Sequence, residues 1–297
     1  MSGDALKEVA AALAAALGTR VDPQPERSVH GGCISDSVRW RSDRGALFVK
    51  LDAPSNEAAF AAEAAGLEEL AAAEAVRVPR PLAYGRTQAR SWLALEWLDL
   101  EAASAATQAQ LGEQLALQHR VGAPQFGWHR DNTIGSTPQR NPPTADWVAF
   151  FRDQRLRAQL DLARDSGHGG VVEQRGRLLL QLMPAFFTSH RPIPSLLHGD
   201  LWGGNFAADA DGAPVIFDPA VHYGDREADI AMTRLFGGFG PGFYTAYESA
   251  WPLDAGAATR RDLYNLYHVL NHLNLFGGAY GAQARSLIDR LLAELGH

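Results

Sequence analysis

Three polar side chains stand beside short apolar runs in the segment LLHGDLWGGNFAADADGAPVIFDPAV, namely Asp200, Asn205 and Asp218. The dipeptide Asp211-Gly212 between them is typical of a two-residue β-hairpin turn. Such a turn would place Asn205 directly opposite Asp218, with Cβ atoms roughly 5 Å apart. A carboxylate and an amide oxygen that converge in this way form an oxygen-rich site that suits Mg²⁺.

The spacing of these residues matches the D-x-x-x-x-N pattern of the protein-kinase catalytic loop, which is followed by an Asp. It predicts Asp200 as the catalytic base that accepts the proton of the attacking hydroxyl. Asn205 and Asp218 are then the predicted Mg²⁺ ligands beside the phosphates of ATP. Asp, Asn and Gly are also the usual turn formers, so each residue alone fits an ordinary loop. The three together, in this order, favour phosphoryl transfer.

A kinase also needs a lysine and a carboxylate in its β-rich part. Lys50 ends the apolar run ALFVK. In the following helix Glu63 shares an apolar stripe with Phe60 and Leu67, where an unpaired carboxylate would be costly to desolvate. The pattern therefore predicts an ion pair between Lys50 and Glu63 that positions the phosphates. The alternative is that Glu63 lies at a half-exposed rim.

Two further segments are predicted to contact the nucleotide. The loop VHGGCISDS lies before the first hairpin strand, and its two glycines would let the backbone approach phosphate closely. The loop departs from G-x-G-x-x-G, so an ordinary turn is the alternative. The segment LEWL lies where a hinge would bind adenine through its backbone groups. The predicted nucleotide contacts are Gly31, Gly32, Cys33, Ile34, Lys50, Glu63, Glu96, Trp97 and Leu98.

Three residues are predicted on the acceptor side: Trp202, Asp131 and His272. The indole of Trp202 can pack against the apolar side of a sugar, with a plain packing role as the alternative. Asp131 and Asn132 lie in a loop rich in Gly, Pro and Asn, which explains them equally well. His268 and His272 are spaced i, i+4, but no third ligand or H-E-x-x-H pattern accompanies them. That favours packing or a substrate contact over a metal site.

Two other features lie near the predicted centre. Asp225 is placed as a helix cap, and Asp229, on the first turn, as a brace for the catalytic loop. Cys33 is the only cysteine and lies on the glycine loop, where nearby positive charge would favour the thiolate. We therefore expect its oxidation, including disulfide pairing between two chains, to block nucleotide binding. A small buried side chain is the alternative.

The elements that must position these residues fall into two parts. Residues 21–100 read as strands with one helix, and long helical periods follow from about residue 104. This pattern predicts an α+β, two-lobed fold, with an N-lobe at residues 1–100 and a C-lobe at residues 101–297. A cleft between lobes is a common ligand site. The first residues read as an amphipathic helix and not as a signal peptide.

Composition excludes several classes of function. A formal net charge of −7 argues against a general binder of nucleic acid or anionic membranes. A single cysteine permits no intramolecular disulfide and fits a reducing compartment. No apolar run approaches the roughly 18 residues of a membrane span. These features predict a cytoplasmic monomer, with redox-dependent dimerisation through Cys33 as the exception.

Several motifs resemble the fructosamine kinase, or ketosamine 3-kinase, family from about His30 to Leu292. They are HGDLWGGN, DPAVHYGDREADIAMTRLFGGF, FVKLDAPSNEAAFAAEAAGLEEL, DNTIGSTPQRN and LYHVLNHLNLFGG. Ser35 departs from the Asn of many members, and DPA replaces the protein-kinase DFG, as is usual in this family. The resemblance implies the fold of aminoglycoside phosphotransferases and protein kinases, with ATP and Mg²⁺ as cofactors.

The implied reaction is phosphorylation of the 3-hydroxyl of a ketosamine, whether a small molecule or protein-bound. Kinases of the same fold that act on aminoglycosides, choline or related alcohols are the enzymatic alternative. A catalytically silent module that binds nucleotide or a protein partner is the alternative of another class. The complete set of Lys50, Asp200, Asn205 and Asp218 speaks against the silent module.

Overall fold

A computed structural model describes residues 3–29 and 36–297. Within these ranges, a five-stranded antiparallel sheet with two helices precedes a mainly helical part. The predicted α+β, two-lobed class is therefore confirmed. The predicted boundary at residue 100 falls in the segment between the last strand of this sheet and the next helix, and it stays a prediction.

The strands are β1 (Arg27–Val29), β2 (Asp36–Ser42), β3 (Gly45–Asp52), β4 (Pro81–Arg86), β5 (Ser91–Glu96), β6 (Asn132–Ile134), β7 (Thr137–Gln139), β8 (Ser195–Leu197), β9 (Phe206–Ala208), β10 (Pro214–Ile216) and β11 (His222–Gly224). The helices are α1 (Gly3–Leu17), α2 (Glu57–Ala72), α3 (Ala105–His119), α4 (Trp147–Phe150), α5 (Ala158–Asp165), α6 (Gly170–Leu182), α7 (Glu227–Leu235), α8 (Pro241–Ala250), α9 (Ala257–Phe276) and α10 (Tyr280–Glu294). A π-helical turn, Phe151–Arg157, joins α4 to α5.

The N-lobe sheet has the strand order β1-β2-β3-β5-β4, and it separates two cores. Side chains alternate between the faces of a strand, so Leu47, Val49 and Leu51 of β3 pack with the apolar face of α1. Lys50 points to the opposite face, where α2 lies. The alternation of β3 thus delivers one cation to the side of the sheet that faces the C-lobe.

The helix α2 starts without a capping side chain, although Ser55 and Asn56 are residue types that often cap helices. A 3₁₀ turn, Pro54–Asn56, leads into the helix, and Asn56 occupies the N-cap position without a side-chain capping bond. The 3₁₀ turn supplies local backbone bonds of its own, which reduces the need for a side-chain cap.

The C-lobe is built on helices that pack around two apolar clusters. One cluster gathers residues of α5, α6, α9 and α10, and the other joins α3 and α8 to the inner faces of α2 and β5. The second cluster therefore connects the two lobes behind the cleft. No helix among the described residues combines the length and the apolar character needed to cross a bilayer.

The hairpin of β9 and β10 differs by one position from the predicted register. Phe206 pairs with Ile216, and the backbone N–H of Phe217 donates to the carbonyl of Asn205 at 3.1 Å. Asn205 is therefore opposite Phe217 and diagonal to Asp218. Three residues form the loop instead of two, with Gly212 in the left-handed region at φ 81°.

The longer loop has a visible cause in the side chain of Asp209. Its Oδ1 accepts the backbone N–H groups of Asp211 and Ala213 at 3.0 and 2.9 Å. Its Oδ2 accepts from Arg77 at 2.7 Å. An Asp that bonds to the backbone two residues on organises its own turn. This competes successfully with the two-residue turn favoured by the Asp-Gly pair.

Candidate active site

Lys50 lies at the centre of a group of charges on the cleft side of the N-lobe. Its Nζ donates to Glu63 Oε1 and to Asp218 Oδ1, both at 2.6 Å. Burial alone would lower the pKa of Lys50, but the charges of the two carboxylates raise it above its ordinary value. The predicted contact between Lys50 and Glu63 is present. Through Asp218, Lys50 also links β3 to the end of the β9–β10 hairpin, here called the catalytic hairpin.

The backbone around Asp200 is fixed from two sides. The imidazole of His198 donates from Nε2 to the carbonyl of Phe217 at 3.0 Å and accepts the N–H of Asp200 at Nδ1, at 3.2 Å. The carboxylate of Asp229 accepts the N–H groups of His198 and Gly199 at 2.7 and 2.8 Å. Asp229 therefore braces the catalytic loop, as the sequence predicted.

Asp200 is the one carboxylate of the loop whose charge is poorly compensated. Its nearest basic group within the described chain is His268, with Nδ1 at 3.9 Å from Oδ1. Burial lowers the pKa of His268 to about 3, so the ring is neutral. Burial and the negative charge of Asp218 raise the pKa of Asp200 to about 7, although a hydrogen bond from Asn205 opposes the shift.

Asn205 and Asp218 offer a set of oxygen atoms at the mouth of the hairpin. The Nδ2 of Asn205 donates to the carbonyl of Asp200 at 2.9 Å, which turns Oδ1 away from that bond. Asp218 has a φ of 57°, in the left-handed region that is uncommon for residues other than glycine. Its side chain remains 33% exposed although Oδ1 contacts Lys50. Carboxylate and amide oxygens are ligands that suit Mg²⁺, so this donor set fits the ion.

A cavity of about 460 Å³ opens in front of these groups, between the lobes. The predicted residues Lys50, Glu63, Asp200, Asn205, Asp218, Trp202 and His272 all line it. Other walls come from the β6–β7 hairpin and from α7, α9 and α10. The structure therefore brings together side chains that are more than 200 positions apart in the sequence.

Asp131, predicted on the acceptor side, does not line the cavity between the lobes, and its acceptor role stays a prediction. Asp131 is exposed, and its Oδ1 accepts the backbone N–H of Asn141 at 2.8 Å. The neighbouring Asn132 donates to the carbonyl of Val221 and accepts from Gln139, each at 2.8 Å. Both side chains hold the β6–β7 hairpin in place, as their loop composition alone would suggest.

The predicted hinge residues lie at the end of β5 and do not line the cavity. Glu96 exchanges hydrogen bonds with Arg80, since its N–H donates to the Arg80 carbonyl at 3.0 Å and its Oε1 accepts the Arg80 N–H at 2.9 Å. The indole of Trp97 faces the guanidinium of Arg39, 4.9 Å from the ring centre. Among the described residues, the backbone of Leu98 forms no hydrogen bond. The hinge role stays a prediction.

The glycine-loop contacts Gly31, Gly32, Cys33 and Ile34 lie outside the described residues.

A buried ionic cluster next to α7 was missed by the sequence reasoning. His190 bonds to Asp225 through Nε2 and to Asp254 through Nδ1, both at 2.7 Å. Arg260 donates to both carboxylate oxygens of Glu227 at 2.7 Å. Asp225 also accepts the N–H of Glu227 at 3.1 Å, in keeping with its predicted place at the start of the helix.

The partners in this cluster are far apart in the chain, so only the single residue Asp225 carried a local signal. A second missed contact supports Asp229, because His119 Nε2 lies 3.2 Å from Asp229 Oδ2 and His119 Nδ1 lies 2.8 Å from the hydroxyl of Tyr247. Together these contacts anchor α7, and with it the brace of the catalytic loop, to α3 and α8.

Comparison with known proteins identifies the family. The family model described as fructosamine kinase matches residues 5–294, nearly the whole chain. The chain belongs to the fructosamine kinase family. The family predicted from the sequence is therefore confirmed.

The sequence of this chain is similar to those of named relatives over most of both lengths. It is 45% identical to the probable ketoamine kinase of Synechocystis sp. over 91% of its own length and 90% of that protein. It is 44% identical to the chloroplastic protein-ribulosamine 3-kinase of Arabidopsis thaliana, over 90% of its own length and 82% of that protein.

Solved structures support the same fold. A Thermobifida fusca protein with a provisional fructosamine-3-kinase name is 32% identical, has a TM-score of 0.86, and matches over 97% of this chain and 99% of its own. An aminoglycoside phosphotransferase solved with ADP and hygromycin B has a TM-score of 0.67 at 14% identity, over 96% of this chain and 98% of its own. The latter likeness concerns the fold alone.

Proposed function

We propose that this chain transfers the γ-phosphoryl group of ATP to the 3-hydroxyl of a ketosamine. One observation carries the proposal: within a chain of the fructosamine kinase family, Lys50, Glu63, Asp200, Asn205 and Asp218 converge on one cavity between the lobes. Phosphoryl transfer depends mainly on positioning and on stabilisation of charge, and these residues supply both.

Asp200 is the proposed base. Its carboxylate borders the cavity, and its backbone is held by His198 and Asp229, so it can accept the proton of an incoming hydroxyl in a fixed direction. Asn205 Oδ1 and Asp218 would hold Mg²⁺, which when bound neutralises charge on the transferred phosphoryl group.

Lys50 is the proposed phosphate-positioning cation, and Glu63 keeps it in place. The Nζ of Lys50 already contacts Asp218, so the cation lies beside the proposed metal ligand and faces the same cavity. The glycine loop with Gly31, Gly32, Cys33 and Ile34, and the hinge at Glu96, Trp97 and Leu98, complete the proposed nucleotide site.

Trp202 and His272 are the proposed acceptor contacts. They line the cavity together with Asp200, so a sugar whose hydroxyl reaches the base would meet both rings. The phosphate at the 3-position is attached to the carbon next to the carbonyl carbon, C2. Loss of a proton from C1 would give a C1=C2 enol that expels the phosphate from C3. Water would then hydrolyse the resulting imine at C1 and release the amine, which would make the enzyme a repair activity for glycated amines.

A cytoplasmic location and a monomeric state, with dimerisation through an oxidised Cys33, complete the proposal. They rest on the single cysteine and on the charge of the chain.

A substrate panel tests the activity. Purified protein with Mg²⁺ and ATP is offered a fructosamine, a ribulosamine, kanamycin and choline, and ADP release is measured. We expect turnover on the ketosamines, with the phosphate at the 3-position by ³¹P and ¹H NMR. Turnover confined to kanamycin or choline would refute the ketosamine assignment, and nucleotide binding without turnover on any of them would favour a silent module.

The variant Asp200→Asn tests the base. We expect kcat to fall by about 10²–10⁴-fold, the usual contribution of general base catalysis, with nucleotide affinity largely retained. Asp211→Asn is the matched control, because Asp211 is an exposed aspartate at the tip of the same hairpin and does not line the cavity. A near-normal kcat for Asp200→Asn would contradict the assignment.

A further inference from the structure

The outer wall of the cavity is a connected set of aromatic rings, here called the aromatic wall. It consists of Trp202, Phe236, His272, Phe276 and Tyr280, all of which line the cavity. Neighbouring ring centres are 4.7–6.0 Å apart, from Trp202 through Phe236 and His272 to Phe276 and Tyr280. Such spacing is that of interacting aromatic pairs, so the rings form one continuous surface.

His272 contributes a hydrogen-bond acceptor to this surface. Its Nδ1 lies 2.8 Å from the carbonyl of His268, and a carbonyl can only accept, so Nδ1 carries the proton. Burial lowers the pKa of His272, which keeps the ring neutral and leaves a lone pair on Nε2. No described residue bonds to that nitrogen, while the side chain borders the cavity.

The aromatic wall extends from the proposed base to the rim of the cavity. His268, whose Nδ1 is 3.9 Å from Asp200 Oδ1, is followed on α9 by His272 and Phe276 at intervals of one helical turn. Each interval advances about 6 Å along the helix. Exposure increases in the same direction, from a buried His268 through a half-buried His272 to Phe276, which is 54% exposed.

The aromatic wall is not accompanied by charged side chains from its own helices. Within the described chain, the residues of α7, α9 and α10 that line the cavity include no carboxylate and no lysine or arginine. The exposed Phe236 and Phe276 would be unfavourable in water unless a ligand covers them. Ring faces attract cations, and the lone pair of His272 can accept from an N–H group.

A ketosamine presents the matching chemistry. Its amine is secondary, protonated near neutral pH, and three bonds from the carbon that bears the reacting hydroxyl. With that hydroxyl at Asp200, the ammonium group reaches the His272 region, and the rest of the amine extends along Phe276 towards solvent. We propose that the aromatic wall binds the protonated amine and the first methylene groups of the ketosamine, with His272 Nε2 accepting its N–H.

This inference rests on the proposed ketosamine kinase activity and names the class of amine that the site selects, an alkylammonium with an open path to solvent. The test compares 1-deoxy-1-hexylamino-fructose with its neutral ether isostere, 1-O-hexyl-fructose, which retains the 3-hydroxyl. We expect the wild-type kcat/KM to favour the amine by about tenfold or more, since both a cation–π contact and a charged hydrogen bond are lost in the ether.

Two variants locate the effect. His272→Phe keeps a ring but removes the acceptor, and Phe276→Leu keeps an apolar side chain but removes the ring. Each should lower the ratio of kcat/KM for the amine to kcat/KM for the ether by about threefold or more, whatever its effect on the sugar and methylene contacts that the two compounds share. Tyr84→Leu is the control, because Tyr84 is an aromatic residue of similar exposure, 49%, on β4 outside the cavity.

The outcomes separate the two proposals. If both sugars are phosphorylated with equal kcat/KM, or if neither variant changes the preference for the amine, the aromatic wall does not recognise the protonated amine and this inference is wrong. If no ketosamine is phosphorylated under any condition, the proposed function itself is wrong.

Discussion

Asp229 braces the catalytic loop, so its replacement by asparagine should weaken catalysis without weakening nucleotide binding. The carboxylate accepts the N–H groups of His198 and Gly199 at 2.7 and 2.8 Å and is itself only 1% exposed. In Asp229→Asn one oxygen can still accept one of these bonds, but the amide nitrogen then faces the second N–H, donor against donor. A lost charge-assisted bond and a buried unpaired N–H together cost about 2–4 kcal/mol of unfolding free energy.

The same change should affect catalysis because Gly199 directly precedes Asp200. Misplacement of a reacting group by about 1 Å can cost roughly 10²-fold in rate, so we expect kcat to fall by about that factor. The KM for ATP should change little, because neither Lys50 nor Glu63 contacts Asp229. A purely destabilising substitution would lower the folded fraction without this split between kcat and KM.

The assay combines urea unfolding at 25 °C, followed by tryptophan fluorescence, with steady-state kinetics on a fructosamine. Asp262→Asn is the matched control, since Asp262 pairs with Arg290 at 3.0 Å at the surface of α9. Surface pairs contribute about 0–1 kcal/mol, so this control should be nearly neutral. An Asp229→Asn enzyme with unchanged unfolding midpoint and unchanged kcat would refute the reasoning.

Two further predictions concern stability. Gly112→Ala should cost about 1–3 kcal/mol, because the new Cβ would lie 2.2 Å from the carbonyl oxygen of Phe243 where α3 meets α8. Gly242→Ala, whose Cβ would meet no atom closer than 3.8 Å, should be neutral or stabilising by up to about 1 kcal/mol, and equal urea midpoints for the two variants would contradict this. Burial alone would lower the pKa of His190, but Asp225 and its acidic neighbours raise it, so the stabilisation is complete below an ordinary histidine pKa of about 6.5 and is lost as pH rises through the raised value. The difference in urea midpoint between wild type and His190→Gln should therefore shrink as pH rises from 6 to 9, and a difference that grows over this range would show that the sign is wrong.

The pairing of Lys50 with Glu63 could be predicted because each residue carries a local signal. Lys50 interrupts the apolar alternation of a strand, and Glu63 interrupts the apolar stripe of a helix. Such interruptions are costly unless the two groups meet, so the two signals imply one contact. The order of strands and helices was predictable for the same reason, since the hydrophobic period is written into each segment separately.

The register of the catalytic hairpin could not be predicted from its turn residues alone. Asp211-Gly212 favours a two-residue turn, but Asp209 forms two bonds to the loop backbone and a third contact to Arg77. The latter partner comes from more than 100 positions earlier in the chain. A distant contact of this kind decides between two local turns of similar energy, and it has no sequence signature.

Two carboxylates around the catalytic loop show why the acid–base assignment also needed the structure. Asp229 is buried and Asp200 is partly exposed to the cavity, yet burial and the charge of Asp218 raise the pKa of Asp200 to about 7, whereas that of Asp229 is lowered. Burial opposes the lowering at Asp229, but His119 and the N–H groups of the loop outweigh it. Two carboxylates whose pKa values are shifted in opposite directions take different chemical roles. Asp229 stays charged and holds the loop, while Asp200, with no cationic partner among the described residues, retains the affinity for a proton that a base requires.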